Sequence, residues 1–286
     1  MSNTLRRKAT NKTYEAILLV VLISIIIFGW YKFGYLDYNK NLVSLISSFK
    51  VGWLLLINII ITYLMQLIVK DKYPYYYYEV VLLTLLLPIR IPYLIDILVV
   101  LIYNIFRKHL NHYHFNSVAI FKLIITLILM MIGKNNYLSL YQEQVASIYK
   151  TSDLIWGASI GSIGSTNLVI LILSYLLLCN VDIYKKDIPW YALLGYSLTL
   201  GIYGFINNNV IDLIKLTLNS TVIFGFIFIS TINISSPVGK KLKRIYGLLV
   251  GIISFIFLQI NPYDAAVIAV VISNLICNFI YEIILN

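Results

Sequence analysis

Apolar runs long enough to cross a bilayer recur along this chain from one end to the other. The longest polar connection between them, Lys134 to Lys150, is too short to fold as a soluble domain. Inside hydrocarbon a backbone must satisfy its own hydrogen bonds, and consecutive apolar runs do so as helices. The expected class is therefore an all-α polytopic membrane protein. Composition agrees: of 286 residues 60% are hydrophobic and 12% charged, and the mean hydropathy is +0.86, outside the range of soluble domains. The first run follows Arg6, Arg7, Lys8 and Lys12 and has no small-residue cleavage site, which reads as a retained helix rather than a signal peptide.

The runs predict about ten spans. They cover Tyr14 to Tyr31, Val43 to Val69, a short Tyr76 to Leu87, a fourth ending near Phe106 and a fifth ending near Gly133. The second set covers Asn167 to Asn180, Pro189 to Phe205, Val210 to Thr231, one ending near Ile260 and one ending near Ile284. Pro88 and Pro92 with Arg90 break the chain after the third run. An odd number of spans in each half inverts the second copy, the pattern of inverted-repeat membrane folds with a midplane site. The expected division is residues 1–133 as the first repeat, 134–166 as an outward loop with a glycine-rich re-entrant stretch, and 167–286 as the remainder of the second repeat.

Alternate connections are basic: Lys70 and Lys72, Arg107 and Lys108, Lys185 and Lys186, then Lys240, Lys241, Lys243 and Arg244. With the basic tail they predict both termini on the cytoplasmic side of the cell membrane. The net charge of +10 is then a matter of loops facing anionic membrane lipid, not of nucleic acid. Cys179 and Cys277 lie in apolar runs and join no metal-ligand or redox pattern. His109, His112 and His114 share one turn without a carboxylate or cysteine in it, which reads as interfacial histidines and not a metal site. No nucleophile triad, P-loop or dinucleotide fingerprint occurs, so no catalytic residue is assigned.

The stretch Trp156-Gly157-Ala158-Ser159-Ile160-Gly161-Ser162-Ile163-Gly164-Ser165-Thr166-Asn167 stands apart. Its glycines permit close backbone approach, and Ser165, Thr166 and Asn167 are helix-capping types before an apolar run. A helix start with free amides attracts phosphate or a polar ring edge; small residues that pack helices tightly are the plainer reading. Charges within the runs also need a reason: Asp96, Lys122, Asp212 and Lys215. Asp96 with Lys122, and Asp212 with Lys215 at i,i+3, are the candidate pairs, either lining a pathway or serving structure.

An ordered set of motifs resembles the RnfD/NqrB family of membrane flavoproteins. Leu85-Leu86-Leu87-Pro88 with Ile91-Pro92 resembles its L-P-x-x-x-P, and Phe115-Asn116 its F-N-P-A. Gly161-Ser162-Ile163-Gly164-Ser165-Thr166 resembles G-S-I-G-E-T, followed by Ile188-Pro189 to Gly195 for I-P-x-x-x-L-G. Phe228 to Pro237 resembles F-M-A-T-D-P-V-T-S-P. The likeness runs from about Thr13 to Tyr281. It implies a ten-helix, urea-channel-like inverted repeat and an integral flavoprotein of an ion-pumping electron-transfer complex, working beside other membrane subunits. FMN in that family is joined through its phosphate to a threonine in S-G-A-T. Here the corresponding loop reads Gln144 to Thr151 without that motif, which leaves Thr151 as a fallback acceptor only and speaks against covalent attachment. Ser165 stands for the family's glutamate and Ile232 for its aspartate.

The resemblance thus predicts an FMN or riboflavin site from Gly161, Ser162, Gly164, Ser165, Thr166, Thr151, Asn116, Asn219, Ser220 and Thr231. The amides of Gly161 to Gly164 would hold phosphate or ring edge and Trp156 would stack. The alternative is a transporter or channel of the same fold for a small solute or flavin, without a redox role.

Overall fold

Helix follows from the sequence because a hydrocarbon-facing segment must close its own hydrogen bonds, and the structure is all-helical among the described residues. The computed structural model describes residues 11–69, 77–133, 149–157, 161–165, 167–207, 210–218 and 220–285. Helix α1 (Asn11–Trp30) passes through a π-helical turn (Tyr31–Leu36) into α2 (Asp37–Asn39). The short α3 (Leu45–Ser48), capped by the Ser44 hydroxyl, precedes α4 (Lys50–Val69). Next come α5 (Tyr77–Leu85), α6 (Tyr93–His112) and α7 (Ser117–Met131). The second part holds α8 (Thr151–Ile155), α9 (Leu168–Leu178), α10 (Asp187–Asn207) and α11 (Val210–Leu218). It continues with α12 (Val222–Phe224), which runs into a second π-helical turn (Gly225–Ile229), then α13 (Lys240–Leu258) and α14 (Ala265–Leu285).

Among the described residues two helices are long and apolar enough to cross a membrane, Thr13–Asn39 and Lys50–Ile68. The pair Val210–Leu218 and Val222–Ile229 makes a third if counted as one span. That pair corrects the sequence expectation of one helix from Val210 to Thr231, for the two pieces meet at 61°. The fourth run also continues past Phe106 to His112, so His109 and His112 sit in the last helical turn and only His114 lies in the connection.

Helix α1 buries Tyr14, Leu18, Val21, Leu22 and Ile25 while Val20, Ile23 and Ile27 stay exposed. An apolar outer face opposite an apolar inner one suits lipid on the outside. Helices α10 and α13 approach closely because Gly195, Gly247 and Gly251 face the partner backbone; a Cβ at Gly195 would stand 2.7 Å from Leu248 O, and one at Gly247 2.7 Å from Ile188 O. Gly247-x-x-x-Gly251 is the small-residue spacing that lets membrane helices meet backbone to backbone.

Packing in the two parts corresponds. Helix α4 lies on α6 as α10 lies on α13; α6 lies on α7 as α13 lies on α14. Helix α5 rests on α7 as α12 and its π-helical turn rest on α14. Contacts between the parts join like to like, α1 with α9 and α7 with α14.

Candidate functional site

Helix α5 stops at Leu85 because Pro88 carries no N–H and Pro92 bars helix at the residue before it. A helix end orphans its last carbonyls, and this end is buried. The glycine-rich stretch supplies the missing donors. Gly164 N donates to Leu85 O at 2.8 Å and Ile163 N to Leu87 O at 3.1 Å. Ser162 and Pro88 form an isolated antiparallel bridge. The Leu86 carbonyl accepts from Tyr263 OH at 3.3 Å. Glycine is required for the fit: a Cβ on Gly164 would lie 2.9 Å from Leu85 Cβ, and one on Gly29 of α1 would lie 2.8 Å from Ile163 O. Asn167 then caps α9 as its residue type predicts, accepting from Ile170 N at 2.9 Å while its amide donates to Trp156 O at 3.0 Å.

The second break follows the π-helical turn, and side chains seal it. Tyr184 OH and Thr231 Oγ1 both donate to Ile227 O, at 2.9 and 2.7 Å. Asn116 Nδ2 donates to Ile229 O at 2.8 Å while its Oδ1 accepts from Ala119 N and caps α7. Lys185 Nζ donates to Asn233 O at 3.0 Å and to Ser236 O and Oγ at 2.6 Å. Burial, with Lys243 nearby, pushes the Lys185 ammonium down to about 8.

A buried ion pair joins the two parts. Lys122 Nζ on α7 meets Asp264 Oδ1 before α14 at 2.5 Å, with Thr126 Oγ1 2.8 Å from the ammonium and the Tyr263 ring centroid 4.3 Å away. Lys122 thus pairs with Asp264 and not with Asp96, which instead accepts from Asn58 Nδ2 at 3.3 Å. A second pair, Arg107 with Glu79 at 2.9 Å, lies between α6 and α5, and Tyr103 OH donates to the same carboxylate at 2.8 Å. Sequence reasoning finds neither pair. Arg107 precedes Lys108 and His109 and reads as interfacial, yet it shares the α6 stripe of Asp96, Val100, Tyr103 and Asn104. That i, i+4, i+7, i+11 spacing was the available signal.

The described ones among the ten predicted site residues lie at three places. Gly161, Ser162, Gly164 and Ser165 lie buried at the first break, where Ser162 Oγ donates to Ser165 Oγ at 2.6 Å. Ser220 belongs to the same end: its neighbour Thr221 donates to Tyr263 O at 2.8 Å, and Tyr263 reaches Leu86. Asn116 and Thr231 belong to the second break. Thr166 and Asn219 lie outside the described residues. Thr151 stands apart, exposed at the first position of α8.

A flavin requires donors for its phosphate or ring edge and a flat face to stack on. The amides of Ile163 and Gly164 are bonded to Leu87 and Leu85 at the first break. The hydroxyls of Ser220 and Thr231 donate to backbone carbonyls. Among the described residues of the predicted site, the exposed one lies on α8, which packs on α9 and α11. Thr151 is exposed at its start and Trp156, 64% exposed, at its end. These two fit a flavin better than the buried stretch does. Among the described residues no group of three His, Cys, Asp or Glu gathers for a metal ion.

Over 99 residues the chain is 29% identical to the D subunit of the ion-translocating oxidoreductase complex of Actinobacillus succinogenes (strain ATCC 55618 / DSM 22257 / CCUG 43843 / 130Z). That stretch is 32% of this chain and spans 28% of the length of its relative. The model of the NQR2, RnfD, RnfE family matches residues 2–286. The proline-broken helix, the glycine-rich stretch docked on it and the Asn116 cap thus occur in a chain that, across almost its whole length, belongs to the NQR2, RnfD, RnfE family.

Proposed function

We propose that this protein is a membrane subunit of an ion-translocating oxidoreductase complex that binds FMN or riboflavin and passes electrons across or along the cell membrane. The observation that carries the reading is the family match from residue 2 to residue 286. The flavin lies against α8, with Trp156 stacking on the ring and Thr151 at the phosphate, as an ester or as a hydrogen-bond partner. The flavin supplies the redox chemistry; the chain orients it and sets its surroundings.

In the full reading the chain makes about ten spans in two inverted five-helix repeats, 1–133 and 167–286, joined by 134–166, with both termini cytoplasmic. The corresponding packing of α4 on α6 and α10 on α13, and of α7 against α14, supports the repeat. Other membrane subunits and lipid cover the apolar outer faces.

The test is the visible spectrum of the protein purified in mild detergent, before and after acid precipitation and filtration. The expected protein is yellow, and Trp156→Ala shifts or removes the flavin band. Colour that stays with the precipitate and is lost in Thr151→Ala marks an ester; colour in the filtrate marks bound but unattached flavin. A colourless protein that rebinds neither FMN nor riboflavin contradicts the reading and leaves the transporter alternative.

A further inference from the structure

The seam between α10 and α13 carries positive charge at one end and apolar walls below it. Gly247 faces Ile188 and Gly251 faces Ala192, so the two helices run parallel and begin at the same end of the molecule. At that end α13 opens with Lys240, Lys241, Lys243 and Arg244. Its first turn holds no acidic residue, and Gly239 before it lends no side-chain cap. Cations at a helix start oppose the helix dipole, so helix stability does not account for them. Among the described residues no carboxylate lies within ion-pair distance of any of the four. Lys185 adds positive charge close to Lys243, and its own ammonium is committed to the carbonyls of Asn233 and Ser236.

Two of the four cations lie on one side of the seam. Arg244 is held over the Tyr191 ring of α10, 5.6 Å from its centroid. Lys241 is exposed and heads the stripe of Ile245, Leu248, Ile252 and Ile256 at i+4, i+7, i+11 and i+15. On α10, Tyr191 heads the matching stripe of Leu194, Leu198 and Ile202 at i+3, i+7 and i+11. Gly195 of α10 lies on Leu248 of α13, which turns both stripes to the same side of the contact. Both stripes are open: Leu198 is 62% and Ile202 64% exposed, Ile245 43% and Ile256 52%. Trp190, 55% exposed in the first turn of α10, marks the level of the headgroups, where indole rings settle. Lys241 and Arg244 thus stand at phosphate height above two apolar walls.

We propose that Lys241 and Arg244, with Tyr191, bind the headgroup phosphate of one anionic phospholipid whose acyl chains lie along the two stripes. Guanidinium and ammonium both donate to phosphate oxygens, and the Tyr191 ring keeps the guanidinium at the seam. A zwitterionic headgroup carries its own ammonium beside the phosphate, and Lys240 and Lys243 repel it. An anionic headgroup meets no such repulsion, so the patch selects net negative charge. The site goes beyond the redox reading. It requires that the chain spans a membrane, and neither flavin nor ion transport.

The full chain, purified in mild detergent at fixed ionic strength, is unfolded by heat while dioleoylphosphatidylglycerol is raised as a fraction of the mixed micelles. Dioleoylphosphatidylcholine is raised in a parallel series. The expected result is a saturable rise of Tm with phosphatidylglycerol and a much smaller one with phosphatidylcholine. Arg244→Gln raises the half-saturating fraction severalfold, Lys241→Gln and Tyr191→Leu raise it less, and Lys40→Gln, which removes the same charge elsewhere, leaves it unchanged. Equal rises with the two lipids, or equal effects of Arg244→Gln and Lys40→Gln, overturn the proposal, since both mean charge attraction without a site. A rise of the same size with inorganic phosphate or polyglutamate in lipid-free detergent also overturns it and assigns the patch to a soluble anion or an acidic partner. Should Arg244→Gln not fold, the exposed Lys241→Gln decides, and a half-saturating fraction that it leaves unmoved sinks the proposal.

Discussion

The two breaks pose the same physical problem and solve it differently. At the first, Leu85 and Leu87 carbonyls are met by main-chain amides of the Gly161–Ser165 stretch. At the second, Ile227, Ile229, Asn233 and Ser236 carbonyls are met by the side chains of Tyr184, Asn116 and Lys185. A main-chain seal demands little of side-chain identity but much of side-chain size, hence glycine. A side-chain seal demands particular donors and tolerates bulk. The glycine-rich motif is therefore first a structural seal.

The largest effect is expected where the two regions are tied together. Asp264→Leu leaves the Lys122 charge buried without its partner and should cost about 3–5 kcal/mol, most of it recovered in the double variant with Lys122→Met. Thermal unfolding in detergent checks both; full stability in the single variant would remove the pair from the account. Next, Gly164→Val should lose about 1–3 kcal/mol to overpacking against Leu85 and Ile25. Gly201→Ala, where a Cβ meets nothing within 4 Å, should be neutral. Equal effects at the two glycines would break the main-chain half of the comparison.

Asn116→Ala removes both a cap and a donor to Ile229 and should cost about 1–2 kcal/mol. Ser165→Ala at the first break should cost less, about 0.5–1.5 kcal/mol, since its hydroxyl accepts from Ser162 and caps no helix among the described residues. The reverse order in unfolding midpoints would contradict the division of labour. The smallest effect concerns pH. Lys185 is held at about 8 against an ordinary value of 10.5. Between these values the unfolded chain binds a proton that the folded chain refuses, so stability rises with pH across that window and is flat below it. Lys185→Met should lack this rise when Tm is followed from pH 7.5 to 10.5, a window set by that shift.

Local chemistry made much of this legible. Pro88 and Pro92 mark the first break, Asn167 and Asn116 cap helices as their type predicts, and the glycines announce close approach. What stayed hidden depends on residues distant in sequence. The direction of the Ile163 and Gly164 amides is set by carbonyls on α5. The Lys122 partner lies beyond the next helix hairpins at Asp264, with no spacing to connect them. The bend between α11 and α12 has neither proline nor glycine to signal it, only the polar run at Ser220 and Thr221.

Amide hydrogen exchange over the glycine-rich stretch, in flavin-free protein, tests the account most directly. The structure predicts that Ile163 and Gly164 are strongly protected without any ligand, because their amides are bonded to Leu87 and Leu85. Fast exchange at both, with protection gained only when FMN or riboflavin is added, would contradict the seal and return the flavin to the glycines.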